Sequence, residues 1–169
     1  AQPEMGDIQV NLVGKHERSR QSHQIAVGVR DAVAAIASKH DIVVQAKPDT
    51  ESGVSGMLLR HGNAFGILYA SDIPNEGFQR FSVAHELGHY FLDGHIDHVL
   101  PNDGVHASHA GFSSSDPYEQ EADNFAAGLL MPSKPFRKLM GRVHLGLQDI
   151  ERARESCKTS LTSTAIRYA

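Results

Sequence analysis

With 169 residues, 40% of them hydrophobic and 21% charged, the chain has the size and composition of one globular domain with a sizeable core. It has no run of about 18 apolar residues, which excludes a transmembrane helix, and its one cysteine, Cys157, excludes an internal disulfide and a cysteine-based zinc site. The net charge of −4 is unevenly spread: residues 133–169 carry eight Lys/Arg against three acids, and the first 132 carry eight against seventeen.

The acidic balance of the whole argues against direct nucleic-acid binding. The basic C-terminal stretch fits either a solvated helical face or a contact surface for an acidic partner or nucleic acid. The opening residues, AQPEMGDIQV, lack the basic and apolar regions of a signal peptide. Together with the lone cysteine this leads to an expected cytoplasmic location.

Residues 1–20 are polar and without pattern, and are expected to be loosely ordered. Gln24–Lys39 reads as a helix, with Ile25, Val29, Val33, Ile36 and Ala37 on one side. Asp41–Ala46 is a short β-branched run that reads as a strand. Two further apolar runs, Gly56–Arg60 and Ala64–Ala70, flank His61-Gly62-Asn63 and read as a hairpin. Ser71–Asn75 turns the chain into the next helix, with Asn75 as its N-cap after Pro74.

That helix, Phe78–Asp93 (FQRFSVAHELGHYFLD), contains His85-Glu86-Leu87-Gly88-His89, a match to H-E-x-x-H. Positions i and i+4 share a helix face, so His85 and His89 can aim two imidazoles at one ion. Zinc suits such a pair and leaves a position open for water, whose proton Glu86 can take as general base. Five-residue patterns recur by chance, but Phe78, Phe81, Ala84, His85, Gly88 and Leu92 keep the spacing of a buried helical face, and a matching acidic helix follows downstream.

Gly94–Ser115 has no clear period and holds His95, His98, His106 and His109. Loops of this length are usually functional or mobile. Asp116–Met131 (DPYEQEADNFAAGLLM) reads as a helix with Asp116 as N-cap and Pro117 at the first position. Ser133–Arg142, Leu147–Ser156 and Ser160–Tyr168 read as short helices.

A catalytic zinc takes three protein ligands. Glu119 is the first candidate for the third, because Asp123 at i+4 shares its face and can hold a ligand histidine by a hydrogen bond. Glu121 lies about 200° around the helix and is an alternative to Glu119, not a companion. A capping-box role for Glu119 competes with ligation. His95 stands at the third-histidine position of H-E-x-x-H-x-x-G-x-x-H, but Leu92 occupies the required glycine. Tyr118, His106 and His109 are candidates for stabilising an oxyanion, and the run Phe65–Tyr69 for an edge strand that aligns an extended substrate.

Phe81–His89 (FSVAHELGH) followed by Glu119–Pro132 (EQEADNFAAGLLMP) resembles the ImmA/IrrE metallopeptidase family, with Asp123 where Asn often stands. The resemblance covers roughly residues 24–135 and is looser beyond. It implies a zinc-dependent peptidase from a bacterium or mobile element that cuts or inactivates a helix-turn-helix repressor, relieving repression of stress or element-transfer genes. The expected architecture is α+β over residues 1–169 as one metallopeptidase domain. A small twisted β-sheet packs against the H-E-x-x-H helix in a zincin-like fold, with additional basic helices over 133–169. His85, His89 and Glu119 would hold Zn²⁺, Glu86 would be the catalytic base and Asp123 would support a histidine. The alternative is a metal-containing anti-repressor that acts by binding alone, although such a binder has no need of Glu86.

Overall fold

A computed structural model describes residues 33–48, 50–109, 114–141 and 146–168. The expectations for residues 1–20 and for the first part of the Gln24–Lys39 helix lie outside these. Residues 33–39 are helical (α1) and place Val33 and Ala37 in the core. Strand β1 (Val43–Lys47) follows, then β2 (Val54–His61) and β3 (Ala64–Ala70) as a hairpin. His61 pairs with Ala64, so the turn is Gly62-Asn63, and Gly62 supplies the positive φ of 57° needed at its first position.

Four strands form one mixed sheet in the order β1-β3-β2-β4, where β4 is Gly104–His109. β1 runs parallel to β3, and the other two pairings are antiparallel. This corrects one expectation: Phe65–Tyr69 lies in β3, which is paired on both sides, so its main chain has no edge to offer a substrate. The edges are β1 and β4. A second correction concerns Gly94–Ser115. Its residues 95–99 form helix α3 (His95–Val99) and its residues 104–109 form β4, so this described part is built into the fold.

Helix α2 (Glu76–Phe91) lies against β2 and β3, and helix α4 (Pro117–Leu130) lies against α2. With a partner on both sides, α2 is buried nearly all round from Arg80 to His89. Leu58 and Ile67 from the sheet and Leu87 from α2 are fully buried and join Ala126, Leu130 and Met131 in the core. Each fully buried Leu or Ile contributes roughly 1.5–3 kcal/mol.

Asn75 caps α2, its side chain accepting from Phe78 N at 3.0 Å. Asp116 caps α4 through Tyr118 N at 2.9 Å, with Pro117 in the first turn, where it needs no N–H partner.

Helices α5 (Ser133–Met140), α6 (Leu147–Cys157) and α7 (Leu161–Tyr168) complete the described chain. They are tied back to the helix pair. Arg80 donates to the carbonyls of Cys157 and Lys158, and Arg167 donates to Met131 O and Ser133 Oγ. Gly77 meets the Thr159 backbone so closely that a Cβ there would lie 2.4 Å from Thr159 C. Among the described residues no helix is long and apolar enough to cross a membrane.

Candidate metal centre

Two helices built from small residues at their crossing bring the candidate site together. A Cβ on Gly88 would lie 3.1 Å from Ala122 Cα, so the crossing of α2 and α4 leaves no room for a larger side chain. At that separation the α4 carboxylates reach the α2 imidazoles. His85 Nε2 lies 3.1 Å from His89 Nε2 and 3.2 Å from Glu119 Oε2. His89 Nε2 lies 3.3 Å from Glu119 Oε1. These three side chains are the described group that could hold a metal ion.

The donor chemistry fits an ion. Asp123 Oδ1 sits 2.8 Å from His85 Nδ1. A carboxylate can only accept, so it fixes the proton on Nδ1 and leaves the Nε2 lone pair facing His89 and Glu119. Lone pairs turned on one another repel unless a proton or a cation lies between them. Ligands at about 2.0–2.1 Å from a tetrahedral ion stand about 3.3–3.4 Å apart, and the observed separations of 3.1–3.3 Å approach that triangle.

The charges respond accordingly. Burial disfavours a positive His85, but hydrogen bonds to Asp123 and Glu119 and the charge of Glu86 outweigh it and raise its pKa to about 10. Burial lowers His89, which therefore stays neutral beside it. Glu119 is half-buried, which opposes its charge, yet hydrogen bonds from His106 and His85 hold it well below the usual carboxylate range.

Glu86 packs between this cluster and the sheet. It is fully buried under β2, and a Cβ on Gly56 would lie 2.7 Å from Glu86 Oε1. Ser108 Oγ is beside it without hydrogen-bond geometry, and neither carboxylate oxygen has a partner among the described residues. Burial raises this carboxyl to about 7, while the His85 charge pulls in the opposite direction. An unpartnered buried carboxylate next to a three-donor cluster is arranged to take and release a proton.

The remaining sequence candidates separate clearly. Glu119 does not close a capping box, since Asp116 caps through Tyr118 N and the Glu119 carboxylate is occupied by three histidines. Glu121 is 62% exposed and meets His95 Nε2 at 3.2 Å. His95 turns Nδ1 toward His89 Nδ1, on the side of the ring remote from Glu119. Of the oxyanion candidates, His106 is half-buried with Nε2 3.1 Å from Glu119 Oε1. Tyr118 instead stacks on His98 at 3.9 Å, and His109 is exposed at the end of β4.

Sequence reasoning missed β4, and with it the placement of His106 and Ser108. The signal was present but inverted: His106 and Ser108 alternate with Val105 and Ala107, yet the polar pair faces the site and Val105 is 58% exposed. The sequence places Gly56 in the hairpin, and nothing in it marks this residue as the floor under Glu86.

Residues 37–167 match the peptidase M78 family, described as the IrrE N-terminal-like domain. No curated protein matches the chain. With its mixed four-stranded sheet and the helix bearing H-E-x-x-H, the chain belongs to the ImmA/IrrE family of metallopeptidases.

Proposed function

We propose that the protein is a zinc-dependent endopeptidase that cleaves a helix-turn-helix repressor in the cytoplasm and so relieves repression of stress or mobile-element genes. On this reading, residues 1–169 act as one metallopeptidase domain. The observation that carries the chemistry is the unpartnered Glu86 carboxylate, buried beside the triangle of His85, His89 and Glu119. The repressor substrate rests on the family resemblance.

His85, His89 and Glu119 would hold the ion, with Asp123 keeping His85 in the tautomer that exposes Nε2. Zinc held there supplies Lewis acidity, acidifying water and polarising a carbonyl. Glu86 takes the proton from the attacking water as its oxygen bonds to the scissile carbonyl carbon. Glu86 then delivers that proton to the departing amine nitrogen as the C–N bond breaks. His106 is the group best supported as oxyanion donor, since it projects from β4 on the same face as Ser108 and already reaches Glu119. β4 is a sheet edge whose outer side carries no strand among the described residues, so an extended substrate segment can pair with it.

The test is incubation of the zinc-loaded protein with helix-turn-helix repressors of its source genome, followed by mass mapping of fragments. Glu86→Gln should keep the metal and lower cleavage by about 10²–10⁴-fold. A Glu86→Gln protein that cuts at the unaltered rate would remove Glu86 from the chemistry. One that inactivates the repressor without cutting it would favour an anti-repressor acting by contact.

A further inference from the structure

We infer that His95 and Glu121 form a relay that sets the tautomer of His89, and so decide whether its Nε2 is free to hold the ion. This rests on the proposed ligand set of His85, His89 and Glu119 and deepens it.

The two histidines of α2 are supported differently. His85 has the usual arrangement, a carboxylate directly on its outer nitrogen. His89 has another imidazole there: its Nδ1 lies 3.1 Å from His95 Nδ1. Two nitrogens in contact share one proton, so one ring donates and the other accepts. The geometry beyond His95 decides which. Its Nε2 lies 3.2 Å from Glu121 Oε2, and a carboxylate only accepts.

The proton of a neutral His95 therefore sits on Nε2, and its Nδ1 presents a lone pair. His89 must then donate through Nδ1–H, which leaves its Nε2 lone pair for the ion that would stand between it and Glu119. The opposite polarity would put the proton on His89 Nε2, where an ion has to bind. His95 is fully buried with both ring nitrogens engaged in this chain, which leaves it no other polar role. Its position is fixed by the turn at Gly94, with φ of 79°, that starts α3 directly after α2. His95 and Glu121 are positioning residues; neither reaches the three donor atoms.

Zinc affinity of the full chain, measured by competition with a chromophoric chelator, tests this together with the visible spectrum of the cobalt(II) form. His95→Leu should weaken zinc by about 10–100-fold, the range for lost support of a ligand histidine, and shift the cobalt absorption. His95→Asn places an acceptor oxygen where Nδ1 stood and should recover most of the affinity and the original spectrum. Glu121→Ala should weaken zinc less than His95→Leu, because water can accept at that exposed position.

Unaltered affinity and spectrum in His95→Leu would overturn the relay, as would a His95→Asn protein no better than His95→Leu. A loss in His95→Leu as complete as in His89→Ala would make His95 a ligand instead. Should His95→Leu fail to fold, nitrogen-15 spectra of the zinc-loaded wild type decide: His95 should carry its proton on Nε2 and His89 on Nδ1, and the reverse assignment refutes the inference. If His85→Ala and His89→Ala both bind zinc like the wild type, the ligand set itself fails and the relay falls with it.

Discussion

Helices α2 and α4 and the α3–β4 segment between them all place side chains around His89, by opposite sequence logic. The helix pair keeps apolar periodicity and inserts its polar groups within it: His85, Glu86 and His89 on α2, Glu119 and Asp123 on α4. The α3–β4 segment turns polar residues inward, His95, His106 and Ser108, and leaves Val105 in solvent. The helix pair supplies donors that converge on one point. On the proposed reading, the segment supplies groups that would orient those donors or face a substrate. Inner groups tolerate no loss, whereas surrounding ones should show graded effects.

The sharpest way to break this contrast is to delete the inner donors. His85→Ala, His89→Ala and Glu119→Ala should each lose most of the bound zinc and all turnover, by elemental analysis and peptide cleavage. Glu119→Ala that binds zinc tightly would mean that the wrong face of α4 has been chosen. On the β4 side, His106→Ala should keep its zinc and lower turnover by about 10²–10³-fold. Loss of metal in that variant would move His106 into the inner group.

Glu86 offers a sharper test of burial, read in the metal-free protein. Its carboxyl is raised from 4.5 to about 7, so the folded state holds the proton after the unfolded chain has released it. Nothing is lost below pH 4.5, stability falls between 4.5 and 7, and the full cost, at most about 3 kcal/mol, applies above 7. His85 loses its stabilising charge only from 6.5 upward to about 10, whereas the lowered His89 adds stability as pH rises toward 6.5, so the Glu86 contribution is read as the difference between wild type and Glu86→Gln. In chelator-treated melts from pH 4.5 to 7, the stability of wild type relative to Glu86→Gln should fall as pH rises. A milder effect is expected at Asp123→Ala, which should weaken zinc by about 10–100-fold and leave some activity.

The contrast also explains what could be read from the chain beforehand. α2 and α4 were legible because their caps, Asn75 and Asp116, and their 3.6-residue period are local properties. The i, i+4 pairing of His85 with His89 and of Glu119 with Asp123 follows from the same geometry. β4 was illegible because an edge strand beside a polar site reverses the usual alternation, and its pairing with β2 depends on residues some fifty positions away. The role of His95 was hidden for a related reason. Its spacing from His85 mimics a ligand motif, and only the turn at Gly94 shows which side of His89 it reaches.

The close crossing at Gly88 and Ala122 makes metal loading a report on folding. An unfolded chain offers only the local pair His85 and His89, while Glu119 becomes available only when α4 has docked through that contact. Zinc should therefore bind the native state far better than the unfolded one and raise its melting temperature as free zinc increases. The dependence runs both ways. A bulkier residue at Gly88 touches no donor atom, yet by holding the helices apart it would make the fold reliant on ambient zinc, so that scarcity of the ion would be felt first as loss of the protein.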